Sequence, residues 1–279
     1  MNPPGEPCDR PRVLACVAHP DDVEFVMAGT LILLAEAGYE PHVMNIADGS
    51  LGSTSAGAEE TAGRRLAEAR AAAESIGAIH HPPIARDLEL FYCDRLLRRL
   101  AAVVRRINPT IVLVQAPFDY MEDHMNASRL AVSATFSKGM PNYRTDPPVD
   151  AAGGPCAVCH AMPHGLRDPL RRRVEPEFLV DITRCIGRKA EMLACHHSQR
   201  EFLTQSQAMD SFVETMRAMA AELANRYGLA GYAEGWRRRL HLGFGEEDFD
   251  PLRDALGESI YECEPNDSGK EQGDGSSDE

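Results

Sequence analysis

The chain has 279 residues, of which 43% are hydrophobic, 6% aromatic and 26% charged. That composition excludes collagen-like, fully disordered and coiled-coil chains, and the length suits one large α/β domain or two small ones. The net charge of −14, from 43 acidic and 29 basic residues, argues against nucleic acid or an anionic membrane as the main partner.

The N-terminal residues 1–11 read as an extension without the apolar core of a signal peptide. Arg12 to Ala18 is a buried-strand run. Val23 to Ala37 has helical spacing and stops at Gly38. Its apolar stretch around Leu31 to Ala35 is too short to cross a membrane, so no stable membrane insertion is expected. His42 to Ala47 is a second strand, and Ala58 to Ile76 a helix ended by Gly77. Ala78 to Ile84 is a weak third strand. Asp94 to Ile107 is an Arg-rich amphipathic helix that stops before Asn108-Pro109. Thr110 to Ala116 is a fourth strand, and a further helix runs from about Asp123 to Ser137. Strand and helix alternating at this spacing predict a Rossmann-like, mostly parallel sheet with helices on both faces.

Residues 141–176 are rich in Pro, Gly and Arg, with one apolar patch at Cys156 to Met162. Phe178 to Ile182 reads as a strand. Thr183 to Cys195 and Met209 to Tyr227 read as helices. One domain over residues 12–261 is expected. Residues 262–279 hold seven carboxylates, one Lys and no aromatic residue, which predicts a disordered acidic tail. The eight Cys are scattered and read as reduced thiols of a cytoplasmic protein.

His19-Pro20-Asp21-Asp22-Val23-Glu24 falls where the first strand ends and the first helix begins. Asp119-Tyr120-Met121-Glu122-Asp123-His124 follows the fourth strand. Ligands of open parallel sheets bind beyond the carboxyl ends of strands where strand order reverses. Two strand ends expected to be neighbours therefore both carry His and carboxylate. His19, Asp22 and His124 would suit Zn²⁺ with an open position for water. The same set also takes Fe²⁺ or other divalent ions. Asp21 beside it could take the proton of that water. The residue types also fit a blander reading, with Asp21 and Asp22 capping the first helix.

Ala18-His19-Pro20-Asp21-Asp22 after a first strand, with Asp123-His124 after the fourth, resembles the PIG-L/LmbE-like family of metal-dependent N-deacetylases. The resemblance extends over roughly residues 12–240. It is supported by Asp48-Gly49 with Gly52-Ser53, Arg65-Leu66-Ala67-Glu68, Val180-Asp181-Ile182-Thr183, Lys189, His196-His197-Ser198-Gln199 and Ala233-Glu234-Gly235. The resemblance implies that His19, Asp22 and His124 bind zinc and that Asp21 is the general base for hydrolysis of an acetamide. It implies a small-molecule amino-sugar substrate, such as an N-acetylglucosamine conjugate. A metal-dependent amidase on a non-sugar substrate and a non-catalytic metal- or carbohydrate-binding relative are the alternatives. Oligomeric state is left open.

Many family members carry a second His three residues before the metal His, acting as acid or oxyanion stabiliser. Here that position is Met121, whose thioether has no proton to give. Tyr120, His160, His164 and His196 are the candidate replacements, with His196 favoured and His160 second. Arg65, Asp123, Tyr120 and Gln199 are expected to support the site or touch substrate. Cys156-Ala157-Val158-Cys159-His160 matches a haem-attachment pattern, but without an export signal it reads as an apolar strand. A structural metal at that Cys pair would need further ligands, such as Cys185 and Cys195.

Overall fold

The computed structural model describes residues 10–199 and 212–263. Its first half runs β1 (Arg12–Val17), α1 (Asp22–Val26), α2 (Ala28–Glu36), β2 (Glu40–Asn45), α3 (Ala58–Ser75), β3 (Ile79–His81), α4 (Asp94–Ile107), β4 (Ile111–Val114) and α5 (Glu122–Phe136). There follow β5 (Ala157–Ala161), β6 (Phe178–Asp181), α6 (Ile186–Ala194), α7 (Phe212–Arg226), β7 (Ala233–Arg238), α8 (Pro251–Leu256) and β8 (Ile260–Glu262). All eight strands form one sheet in the order β3-β2-β1-β4-β5-β7-β6-β8. The strands from β3 to β5 are parallel. β7, β6 and β8 extend the sheet in antiparallel fashion.

β1 is buried on both faces, as a central parallel strand must be. Val13, Ala15 and Val17 pack on one side with Leu31, Ile32 and Trp236. Leu14 and Cys16 pack on the other with Leu96, Leu100 and Leu130. Helices therefore cover both faces, as the alternating pattern predicts. In α4, Leu96, Leu100, Val104 and Ile107 share the buried face, and Asn108 ends the helix in the left-handed region at φ 46°. Pro109 then prevents its resumption.

The helix expected over Val23 to Ala37 is two helices, broken at Met27 with φ −144°. The run is apolar all round, so periodicity carries no sign of the break. The break gives α2 its own N-terminus. Glu234 of β7 caps it, accepting from Gly29 N at 2.8 Å and Thr30 N at 2.7 Å. Lys189 Nζ neutralises that carboxylate at 2.6 Å. The approach is close: a Cβ on Gly29 would meet Ile182 Cγ2 at 2.5 Å.

Other boundaries shift. The third strand is only Ile79–His81. The helix expected over Thr183 to Cys195 begins with a 3-10 turn, Thr183–Cys185. Met209 of the next expected helix lies outside the described residues. The tail boundary at 262 also moves, because Glu262 closes β8 and pairs with Arg238 at 2.8 Å. Of the expected tail, residues 264–279 lie outside the described residues, as does most of the N-terminal extension. Among the described residues, no helix is long and apolar enough to cross a membrane.

Candidate metal-dependent active site

Strand order reverses between β1 and β4, so the loops leaving these neighbours share one crevice. Gln115 at the end of β4 accepts from Ala18 N at 2.9 Å and ties the two strand ends together. Asn45 Nδ2 donates to the His19 carbonyl at 2.7 Å, fixing the turn from the β2 side. Asp21 then takes φ 96°, a left-handed conformation that Asp tolerates better than most residues. That turn starts α1 and aims Asp21 and Asp22 into the crevice, while His124 enters from the first turn of α5.

His19, Asp22 and His124 each offer a donor atom, and the three atoms lie within 4.8 Å of one another. Each imidazole is held through its other nitrogen by a carboxylate. Asp123 Oδ2 accepts from His19 Nε2 at 3.1 Å, and Asp119 Oδ1 accepts from His124 Nδ1 at 2.9 Å. His19 Nδ1 and His124 Nε2 are thereby left facing Asp22, at 3.6 and 3.4 Å. Two oriented imidazoles and a carboxylate, each His backed by an acid, are the donor set of an open divalent-metal site. The residues therefore fit a metal, and no second cluster of three potential ligands occurs among the described residues.

The charge pattern agrees. Burial works to lower the pKa of His19, but the Asp123 and Asp22 carboxylates overcome it and lift it to about 10. Burial likewise opposes protonation of His124, and Asp22 and Asp119 again raise it. Burial works to raise the pKa of Asp22, and His124 and His19 hold it far below the carboxylate range. Without metal the site holds protons where a cation belongs. Asp21 behaves differently: burial raises it to about 6 although Arg65 opposes the shift. A carboxylate poised near neutrality suits a general base.

Arg65 is 3% exposed. Its Nη2 donates to Pro20 O at 2.6 Å and to Asp21 Oδ2 at 3.2 Å. The guanidinium thus braces the turn and the base. Gly49, at φ +71°, makes room for it: a Cβ there would stand 2.7 Å from Arg65 Cδ. Asp87 escaped the sequence reading, since it lies in a loop after β3 with no motif around it. It accepts from Gly49 N at 2.7 Å and Leu51 N at 2.9 Å, and stands 3.9 Å from His19 Nε2. Asp119 also received no role from sequence.

The surrounding cleft has a volume of about 290 Å³. Tyr120, Met121, His164 and Gln199 line it together with the triad. Tyr120 sets its ring edge-on to His124 at 5.4 Å. Of the His residues considered as replacements for the acid, only His164 lines the cleft. His196, the favoured one, is 1% exposed and points its Nε2 at Glu24, 3.3 Å away. α1 carries Glu24 inward, and the burial of this pair keeps His196 off the cleft wall. His160 sits behind Gln115, with Nδ1 2.9 Å from the Gln115 carbonyl and 3.3 Å from Ser128 Oγ. β5 does bring it to the neighbourhood, but the end of β4 lies between. Cys156 and Cys159 are buried in the sheet region, and neither belongs to a ligand cluster.

Comparison with known proteins agrees with this geometry. Residues 14–135 match the family model for PIG-L, described as GlcNAc-PI de-N-acetylase. Diacetylchitobiose deacetylase of Thermococcus kodakarensis is 29% identical over 200 residues, 68% of this chain and 71% of that protein. 4-oxalmesaconate hydratase of Pseudomonas putida is 30% identical over 202 residues, 67% of this chain and 73% of that protein. Among solved structures, the inhibitor complex of N,N'-diacetylchitobiose deacetylase from Pyrococcus horikoshii has the same fold, with TM-score 0.70 and 24% identity over 88% of this chain and 89% of that one. The 4-carboxy-2-hydroxymuconate hydratase from Pseudomonas putida follows at TM-score 0.67 and 25% identity, covering 82% of this chain and 95% of that one. The chain belongs to the PIG-L family.

Proposed function

We propose that this chain is a zinc-dependent hydrolase that removes an N-acyl group from an amino sugar or an N-acetylglucosamine-containing conjugate. The observation that carries the reading is the triad His19, Asp22 and His124 with Asp21 beside it at the floor of a cleft. A divalent ion held by the triad would supply Lewis acidity at the amide carbonyl and at the attacking water.

Asp21 accepts a proton from the attacking water and returns it to the leaving nitrogen; Arg65 fixes its carboxylate for both transfers. Asp119 and Asp123 keep His124 and His19 in one tautomer and orientation. His164 is the group we assign to the task left open by Met121. Burial lowers its pKa, so it works as a neutral imidazole, donating a hydrogen bond to the developing oxyanion. Tyr120 and Gln199 stand at the cleft wall as substrate contacts.

A second reading, hydration of an anionic unsaturated substrate, is favoured by the 30% identity to the hydratase. Cleft charge opposes it. Asp21, Asp22, Asp87, Asp119 and Asp123 line the cleft, and Arg65 is the single Arg or Lys among the described lining residues. Arg65 is already engaged by Asp21 and backbone carbonyls. Assay of the zinc-loaded enzyme on N-acetylglucosamine, N,N'-diacetylchitobiose and 4-oxalmesaconate decides the matter. Acetate release from the sugars is expected. Hydration of 4-oxalmesaconate with no acetate released would replace the reading.

A further inference from the structure

Part of the cleft lining carries no strong hydrogen-bonding group. Phe25, Val26, Met121, Met162 and Phe212 border the same space as the triad. The wall is continuous with the catalytic floor. Ring centroids run from Phe212 to Phe25 at 5.3 Å, from Phe25 to His164 at 4.8 Å and from His164 to Tyr120 at 5.9 Å. Tyr120 then meets the ligand His124 at 5.4 Å.

It is also a firm wall. Phe25 and Phe212 pack on Ala190, Leu193 and Met216, and Met162 packs on Leu166, Leu179 and Leu223. At the rim, Leu51 and Leu88 line the cleft while 54% and 62% exposed. An acetyl methyl covers little of such a wall. Each methylene that covers it removes water from both surfaces, worth about fourfold in binding when burial is complete.

We infer that the amide cleaved by this enzyme carries an apolar alkyl or aryl group larger than acetyl, seated against Phe25, Val26, Met121, Met162 and Phe212. The inference rests on the N-acyl hydrolase reading and names its substrate class. The apolar group has two possible sources, the acyl chain itself or an aglycone on the amine side. Both present the same chemistry to the wall.

The test uses the full-length, zinc-loaded protein and two substrate series. One varies the acyl group on glucosamine: acetyl, butyryl, hexanoyl, benzoyl. The other compares methyl and octyl glycosides of N-acetylglucosamine. In one series kcat/KM is expected to rise at least tenfold from the smallest to the largest member. Val26→Asn and Met162→Gln should flatten that rise, lowering turnover of the long substrate more than the short. Cleavage of the acetyl substrates with no gain in either series overturns the inference and leaves the hydrolase reading standing. If no amide is cleaved, the hydrolase reading falls. Calorimetry with acetohydroxamate against hexanohydroxamate, and with methyl against octyl N-acetylglucosaminide, then reads the wall without turnover on both sides of the amide. At least tenfold tighter binding of the longer probe in either pair supports the apolar seat, and equal binding in both pairs overturns it.

Discussion

His19 Nε2 lies 3.1 Å from Asp123 Oδ2, although the two residues stand 104 positions apart. The contact joins the loop after β1 to the helix after β4 and decides which His19 nitrogen faces the metal. Asp123→Ala frees the ring to turn, and a backing carboxylate of this kind is worth about 10- to 100-fold in metal affinity. Competition with a chelator measures it. Affinity within twofold of wild type would remove Asp123 from the site.

Ligand and base should separate on mutation. His124→Ala is expected to abolish stoichiometric metal. Asp21→Asn should keep the metal and the fold while losing about 10²- to 10⁴-fold in turnover, the usual worth of a general base. Metal analysis beside steady-state kinetics reads both. Full metal in the first variant, or near-normal turnover in the second, contradicts the assignment.

Metal loading should release protons. His19 carries one up to about pH 10 in the metal-free protein, and His124 is shifted the same way. A metal must displace them, so apparent affinity rises with pH through neutrality and falls in acid. At pH 7, calorimetry in buffers of different ionisation enthalpy should report about one to two protons released per ion. Affinity independent of pH from 6 to 9 would show that the imidazoles are not the ligands.

Acid should loosen the β2–β3 edge. Burial lowers the pKa of His80 to about 4 and that of His81 likewise to about 4. The unfolded chain therefore binds protons that the folded one refuses. The penalty is absent above about pH 6.5, grows as pH falls from there to about 4, and is constant below. With both groups partly exposed, about 1 kcal/mol each is a fair discounted size. Urea denaturation of the wild type and of His81→Gln at pH 7.5 and 4.5 should show a shallower acid loss in the variant. Identical slopes would discard the edge as the acid-labile element.

Glu234→Ala should destabilise strongly, by about 3–5 kcal/mol, because it strands Lys189 as a buried uncompensated charge. Adding Lys189→Met should recover part of the loss. Both are read by urea midpoint. A single-variant loss under 1 kcal/mol would mean that the pair is solvated.

The order of β1 to β4 and both strand ends carrying the triad were legible because buried strands and amphipathic helices write their periods into sequence. α4 shows this best: its buried face repeats at helical spacing, and Asn108-Pro109 marks its end. Four things were not legible. The break at Met27 lies in a run apolar on every side. β7 mixes Trp236 with Glu234, Arg237 and Arg238, a pattern that follows its buried ion pair and surface bridges rather than alternation. The facing of His160 and His196 depends on what stands between them and the cleft, Gln115 in one case and the inward turn of α1 in the other. Asp87 and Asp119 act through contacts to backbone amides and a ring, which no local spacing announces.

Every triad residue lies within the first 124 positions, yet α2, the second helix after the metal loop, takes its N-terminal cap from position 234. An amino-terminal fragment ending near residue 135 would contain all the ligands and the carboxylates that back them, but not the cap of α2. Gly29 and Thr30 would lose the carboxylate that receives their amides, and Trp236 Nε1 would no longer reach Thr30 Oγ1, now 3.0 Å away. The amino-terminal half thus holds the ligands, while the packing of its second helix is completed only by β7, more than two hundred residues later in the chain.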